Sequence, residues 1–218
     1  MEICARPARA FGLAILLTAI LAAVAFAQAP PDPVLAHKLV NAAMERITHQ
    51  VRYDSKYVRI AYPGGDVPAD TGVCTDEIIR IYRAVGIDLQ QQVHEDVMAN
   101  PRLYPRIGNW PRHKPDSNID HRRVPNLMVF FSRKAQVLTN SSNPDDYVPG
   151  DLVTWDLGGG LGHIGMVVDH RGPSGRFMVV HNIGQGPRME DALFDWRVTG
   201  HYRYPASGSQ HRVLSTEY

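Results

Sequence analysis

Cysteine is scarce in this chain. Its 218 residues include two, Cys4 and Cys74, too few for a disulfide framework. Charge of one sign is also missing, with 23 Lys and Arg against 22 Asp and Glu and a formal net charge of +1. That balance excludes a strongly basic nucleic-acid binder and an acidic solvating tail, so no nucleic-acid partner is expected. Lysine is nearly absent, with four residues against 19 arginines, a bias read as composition rather than as a site. Internal repeats and low-complexity tracts are lacking too. What is present, 44% hydrophobic and 21% charged residues, fits a soluble globular protein. The length suggests one domain, able to bury a core without covalent staples.

The only long apolar run lies near the N-terminus. Arg6 and Arg9 precede Phe11 to Val24, then Ala25-Phe26-Ala27, then a proline-rich exit at Pro30, Pro31 and Pro33. A positive start, an apolar stretch and a small-x-small end make a secretory signal peptide. The run is shorter than the ~20 residues a membrane span requires, so no stable membrane insertion is expected after cleavage. The organisation expected is residues 1–27 as signal peptide, 28–204 as a single α+β domain and 205–218 as a flexible tail. The location is then periplasmic or secreted. Cleavage removes Cys4 and leaves Cys74 as the single cysteine of the exported chain. A lone thiol in an oxidising compartment is a reactive-site candidate, set against the buried inert cysteine that is common in cores.

Apolar spacing predicts helices over Val34 to Gln50, Cys74 to Val85, Gln90 to Ala99 and Asn126 to Ala135. A short extended run is expected at Tyr57 to Ile60, and Pro101 to Pro125 reads as loop. Strands are predicted at Leu152 to Trp155, His163 to Asp169, Phe177 to Asn182 and His201 to Tyr204, with Gly158 to Gly162 as a glycine-rich loop. Helices first and an antiparallel meander after give an α+β layout.

Cys74 is predicted at the start of its helix, with Asp70 or Thr71 as cap. A helix N-terminus favours an anion and lowers a thiol pKa, so a thiolate is expected there. A thiolate nucleophile needs a base, and the base needs an orienting partner. His163 opens a strand after the glycine loop and is the best-placed base. The next strand supplies the partner. If Asp169 faces Gly175 in the hairpin, His181 lies opposite His163; if it faces Arg176, Asn182 does. Both residues can bond an imidazole nitrogen, and the expectation is His181, with Asn182 as the alternative orienter.

The order Cys74-helix, Pro149-Gly150-Asp151-Leu152-Val153, His163-Ile164-Gly165-Met166-Val167 and Val179-Val180-His181 resembles the NlpC-type cysteine peptidases and the related CHAP amidases. Tyr62 to Pro68, Gly72 to Asp76, Val93 to Asp96, Asp116 to Leu127 and Gly200 to Tyr204 resemble the YijF-like family of exported bacterial proteins, from about Val34 to Tyr204. The first resemblance implies a papain-like α+β fold with a helix-borne Cys packed on an antiparallel sheet. It also implies a hydrolase of peptide or amide bonds in the cell wall, with Cys74 as nucleophile, His163 as base and His181 as orienter. Thr75 follows the cysteine where many NlpC-type enzymes have a small residue and then glycine, which bears on the oxyanion hole. The partner expected is peptidoglycan or a peptide substrate, with no cofactor. The alternatives are a non-catalytic wall-binding module on the same fold and an acyl-transfer enzyme acting on another amide or ester.

Asp116 to Arg123 is dense in charge. Asp120, His121, Arg122 and Arg123 are candidates for lining a substrate groove, the arginines gripping a carboxylate, against an ion-paired structural loop. His113, Asp116, Asp120 and His121 match no tetrahedral zinc spacing, so no metal is expected. Trp110, Trp155 and Trp196 are read as packing residues before sugar-stacking ones. Processing after Ala27 predicts a mature N-terminus at Gln28. Intact mass of the exported protein measures this, and retention of Met1 would reject the signal peptide.

Overall fold

The computed structural model describes residues 32–105 and 114–206. The signal peptide, Trp110, His113 and the tail beyond residue 206 lie outside the described residues. No helix among the described residues is long and apolar enough to cross a membrane.

The helical half comes first. Helix α1, Pro33–Arg46, begins where Asp32 Oδ1 accepts from the backbone N–H groups of Val34 and Leu35 at 2.9 and 3.3 Å, with proline at its first position. It ends four residues before the predicted Gln50. Strands β1, Arg52–Tyr53, and β2, Thr71–Gly72, form a short parallel pair that leads straight into helix α2, Cys74–Ala84. Helix α3 spans Leu89–Ala99 and α4 spans Val124–Lys134. Tyr57 to Ile60 forms no strand. Its backbone instead bonds a side chain, the Ile60 N–H donating to Asn118 Oδ1 at 2.9 Å.

The second half is the sheet. Strands β3 (Gln136–Val137), β4 (Leu152–Asp156), β5 (Gly162–Arg171), β6 (Phe177–His181), β7 (Arg188–Glu190) and β8 (Arg197–Arg203) lie in the order β3-β8-β4-β5-β6-β7. Every pair is antiparallel. Strands β4 to β7 follow the chain, and β8 returns to pair with β4. The edge strands β3 and β7 were not among the predicted ones; two and three residues are too few to show alternation.

Side chains alternate across the sheet and build two cores. Toward the helices, Leu152, Ile164, Met166 and Val180 pack with Leu39, Ile78, Ile81, Tyr82, Leu127 and Phe131. On the other face, Val153, Trp155, Val167 and Val179 pack with Tyr147 and Leu193. This is the α+β arrangement expected from the sequence, with the helix that carries Cys74 packed on an antiparallel sheet.

Helix α2 is buried on nearly every side, its acids and Arg80 included. The spacing Ile78, Ile81, Tyr82 gives the apolar stripe, and ion pairs satisfy the rest. Glu77 pairs with Arg46 at 2.7 Å and with Arg80 at 3.2 Å. Arg80 also reaches Asp66 at 3.0 Å and donates to the carbonyl of Thr71 at 2.9 Å. Asp76 pairs with Arg122 at 2.8 Å. The helix cap differs from the expectation. Val73 is the N-cap, and the Asp76 side chain accepts from the Val73 N–H at 2.7 Å. Thr71 is turned away and donates to the Pro68 carbonyl. One carboxylate at the third helical position therefore does the capping that Asp70 or Thr71 was expected to do.

Truncating Ile78, which is 0% exposed, to alanine should cost about 2–5 kcal/mol. Val34→Ala, at a residue 63% exposed, should stay within about 0.5 kcal/mol. Urea unfolding midpoints compare the two, and equal midpoints would contradict the central placement of α2.

Candidate active site

Three elements carry the candidate residues. Cys74 opens α2, His163 is the second residue of β5, and His181 ends β6. All three are buried, at 4%, 2% and 1% exposure. His163 Nε2 and His181 Nδ1 are 2.8 Å apart, with the ring planes at 72°. Trp155 and Trp196 enclose the pair, each with its ring centroid between 5.8 and 6.4 Å from both imidazoles. Trp155 is itself held by its Nε1, which donates to the Leu193 carbonyl at 2.9 Å.

The hairpin takes neither of the two registers considered from sequence. Gly165 faces His181, Met166 faces Val180 and Val167 faces Val179, with an irregularity before Arg171 and Phe177 pair. His181 therefore stands two residues along from the position opposite His163. The rings still meet, because a two-residue shift leaves every side chain on its original face and diagonal neighbours lie within reach of long side chains. Glycine at 165 makes the diagonal possible. A Cβ there would stand 3.1 Å from His181 Cβ and 3.1 Å from Trp155 Cζ3, so the absent side chain leaves the space between the two rings. Asn182 falls on the other side of the strand. It is buried, its Oδ1 accepts from the Gly184 N–H at 3.1 Å, and its Nδ2 has no partner.

Burial dominates the electrostatics. It pushes the His163 imidazole down to about 3, with a further decrease from the neighbouring His181. His181 is also lowered by burial, while Glu190 pulls the other way. The Cys74 thiol moves opposite to the expected direction. Burial raises it to about 12, although the backbone amides of Ile164, Thr75 and Cys74 itself work against the shift and Asp76 adds to it. The helix N-terminus does favour the anion as anticipated, but loss of water outweighs it. The resting site thus holds a neutral thiol and a neutral base. Cys74 packs in the same core as Ile164, the residue after His163. His163 Nδ1 has no hydrogen-bond partner among the described residues.

The charged segment before α4 is largely inside the protein. Asp120 is 0% exposed and accepts from the Asp116 N–H at 2.8 Å, with His94 Nδ1 2.9 Å from its Oδ2. Arg122 grips both oxygens of Asp76 at 2.8 and 3.0 Å and donates to the Lys56 carbonyl at 2.9 Å. His121 is buried with Nδ1 unpartnered, and burial, with Arg122 and Arg83 nearby, pushes it down to about 3. These three are buried; Arg122 braces the start of α2 through Asp76, and Asp120 meets His94 of α3. Arg123 differs. It is half-buried, and its side chain makes no hydrogen bond or ion pair among the described residues. The next residue, Val124, lies against Gly162 at the start of β5.

Sequence reasoning missed Glu190 and the role of Trp196 as a wall. Glu190 Oε2 stands 2.9 Å from His181 Nε2. The only signal was a charged residue on either side of Met189, too short an alternation to mark a strand.

The chain is similar to known proteins over most of its length. A protein from Escherichia coli K12 described as uncharacterized protein YijF is 49% identical over 166 residues, covering 76% of this chain and 80% of that one. The solved structures of NlpC2 and NlpC1 from Trichomonas vaginalis have TM-scores of 0.42 and identities of 17% and 16%. They cover 77% and 81% of this chain, which spans 46% of each of those chains. The model of a domain of unknown function, DUF1287, matches residues 40–204, and the chain belongs to that family.

Proposed function

We propose that this protein is an exported cysteine hydrolase that cleaves peptide or amide bonds of the bacterial cell wall. The observation that carries the reading is the buried 2.8 Å contact between His163 and His181, on the strand whose Ile164 packs with the helix-borne Cys74. An imidazole held by a second imidazole, with one nitrogen unbonded, is the arrangement a general base needs. The wall as substrate rests on the sequence resemblance and on the expected export.

In this reading His163 Nδ1 takes the thiol proton as Cys74 Sγ bonds to the substrate carbonyl carbon. The resting groups are neutral, so proton transfer accompanies attack and no thiolate–imidazolium pair forms beforehand. His163 then gives the proton to the leaving amine as the carbon–nitrogen bond breaks. Water, deprotonated by the same nitrogen, releases the acid from the thioester. The Cys74 backbone N–H is the candidate oxyanion donor. Arg123 is the candidate grip for a substrate carboxylate.

A second reading has one observation in its favour. A thiol 4% exposed and raised to about 12 by burial also suits a core cysteine, in a wall-binding module that keeps the fold. Digestion of purified sacculi followed by mass spectrometry separates the two. Under the hydrolase reading Cys74→Ala abolishes fragment release and His163→Ala lowers it about 10²–10⁴-fold. The double variant is no worse than Cys74→Ala alone, because nucleophile and base act as one unit. Fragment release by Cys74→Ala at the wild-type rate would reject the hydrolase.

The pH behaviour follows from the same shifts. With its folded pKa lowered from 6.5 to about 3, His163 stays a neutral base through the mildly acidic range. Its burial instead makes the fold sensitive to acid, since the unfolded chain binds the proton first. That contribution to stability is intact above about pH 6.5 and is lost as pH falls toward about 3. His121, lowered to about 3 as well, acts in the same direction. Between about pH 6.5 and 4, activity loss should coincide with loss of folded signal by circular dichroism. A titration of kcat/KM in that range with the fold intact would contradict the assigned base.

A further inference from the structure

One contact of the site is left over once nucleophile, base and orienter are assigned. His181 uses Nδ1 toward His163, and its Nε2 faces Glu190 from the neighbouring strand β7 at 2.9 Å. Glu190 is 40% exposed while His181 is fully enclosed. The contact lies off the ring N–H direction, since Nε2 has no hydrogen-bond partner by angle, so it is an electrostatic contact rather than a linear bond. Asp195 also acts on His181 with negative charge, and Arg188 pairs directly across from His181 on β7.

The proton count then decides the tautomers. Only one hydrogen fits between His163 Nε2 and His181 Nδ1. If His181 carries it, its Nε2 presents a lone pair to a carboxylate oxygen at 2.9 Å, which is repulsive. If His163 carries it, His181 is protonated at Nε2, facing the carboxylate, and accepts at Nδ1. Neutral His163 is then unprotonated at Nδ1, the nitrogen the proposed base needs. The opposite assignment protonates His163 Nδ1 and leaves no base there.

We propose that Glu190 is a positioning residue that, through His181, holds His163 in the tautomer with a free Nδ1. The link to catalysis rests on the hydrolase reading; the tautomer itself does not. Nitrogen-15 NMR of the ring nitrogens of the mature protein at neutral pH reads it directly. Wild type should show the Nε2–H form at both His163 and His181. Glu190→Gln keeps the shape but offers either an acceptor oxygen or a donor amide. It should move both rings toward the Nδ1–H form, with an unchanged fold by circular dichroism. Removing an outer partner of a functional histidine costs about 10–100-fold at metal sites, and a fall in kcat of about tenfold with little change in KM is expected here. Glu190→Asp, which keeps the charge, should restore part of both readouts. Unchanged ring tautomers in Glu190→Gln would overturn the proposal even in an active enzyme. Shifted tautomers in a protein without wall-cleaving activity would uphold it while removing the hydrolase reading.

Discussion

The carboxylate of Asp76 is the point on which the site depends. It sits 2% exposed, accepts from the Val73 N–H and takes both arms of the Arg122 guanidinium. One oxygen caps the first turn of α2, and the same group ties that turn to the segment before α4. Arg122 in turn holds the Lys56 carbonyl, so three stretches distant in sequence meet at the cysteine. A buried charge is tolerated only when its hydrogen-bonding capacity is met, and here both partners bond fully. Removing one would leave an uncompensated charge beside Cys74.

The rest of α2 repeats this logic. Glu77, Arg80 and Asp66 form a chain of ion pairs running into Arg46 of α1. An 11-residue helix bearing three charged side chains in its first seven positions reads as half-exposed. It is central because each charge finds a fixed partner from another element. Geometry of this kind suits a site whose parts must not drift, since satisfied buried networks specify one arrangement.

On the opposite face of the sheet the histidine pair is set by space. Gly165 leaves a gap, Trp155 and Trp196 close it, and the rings meet diagonally within that enclosure. Exclusion of water keeps both imidazoles neutral. The same exclusion overrides the helix N-terminus at Cys74, so the nucleophile candidate is a thiol at rest. In the proposed hydrolase, a neutral pair needs substrate in place before a proton moves.

Sequence by itself determined the order of the four helices and of strands β4, β5, β6 and β8, the helix start at Cys74 and the strand carrying His163, because these follow from apolar periodicity and from glycine and proline punctuation within a few residues. It also narrowed the partner of His163 to two neighbours, since strand alternation is a local rule. The parity that favours His181 over Asn182 is that of the pairing of Gly165 with His181, which no local pattern marks. The direction of the Cys74 shift, the inward turn of Asp120, His121 and Arg122, and the approach of Glu190 to His181 were decided by tertiary structure alone. Each depends on how much water remains around a group and which distant chain segment replaces it, and neither quantity is written in the spacing of residues along the chain.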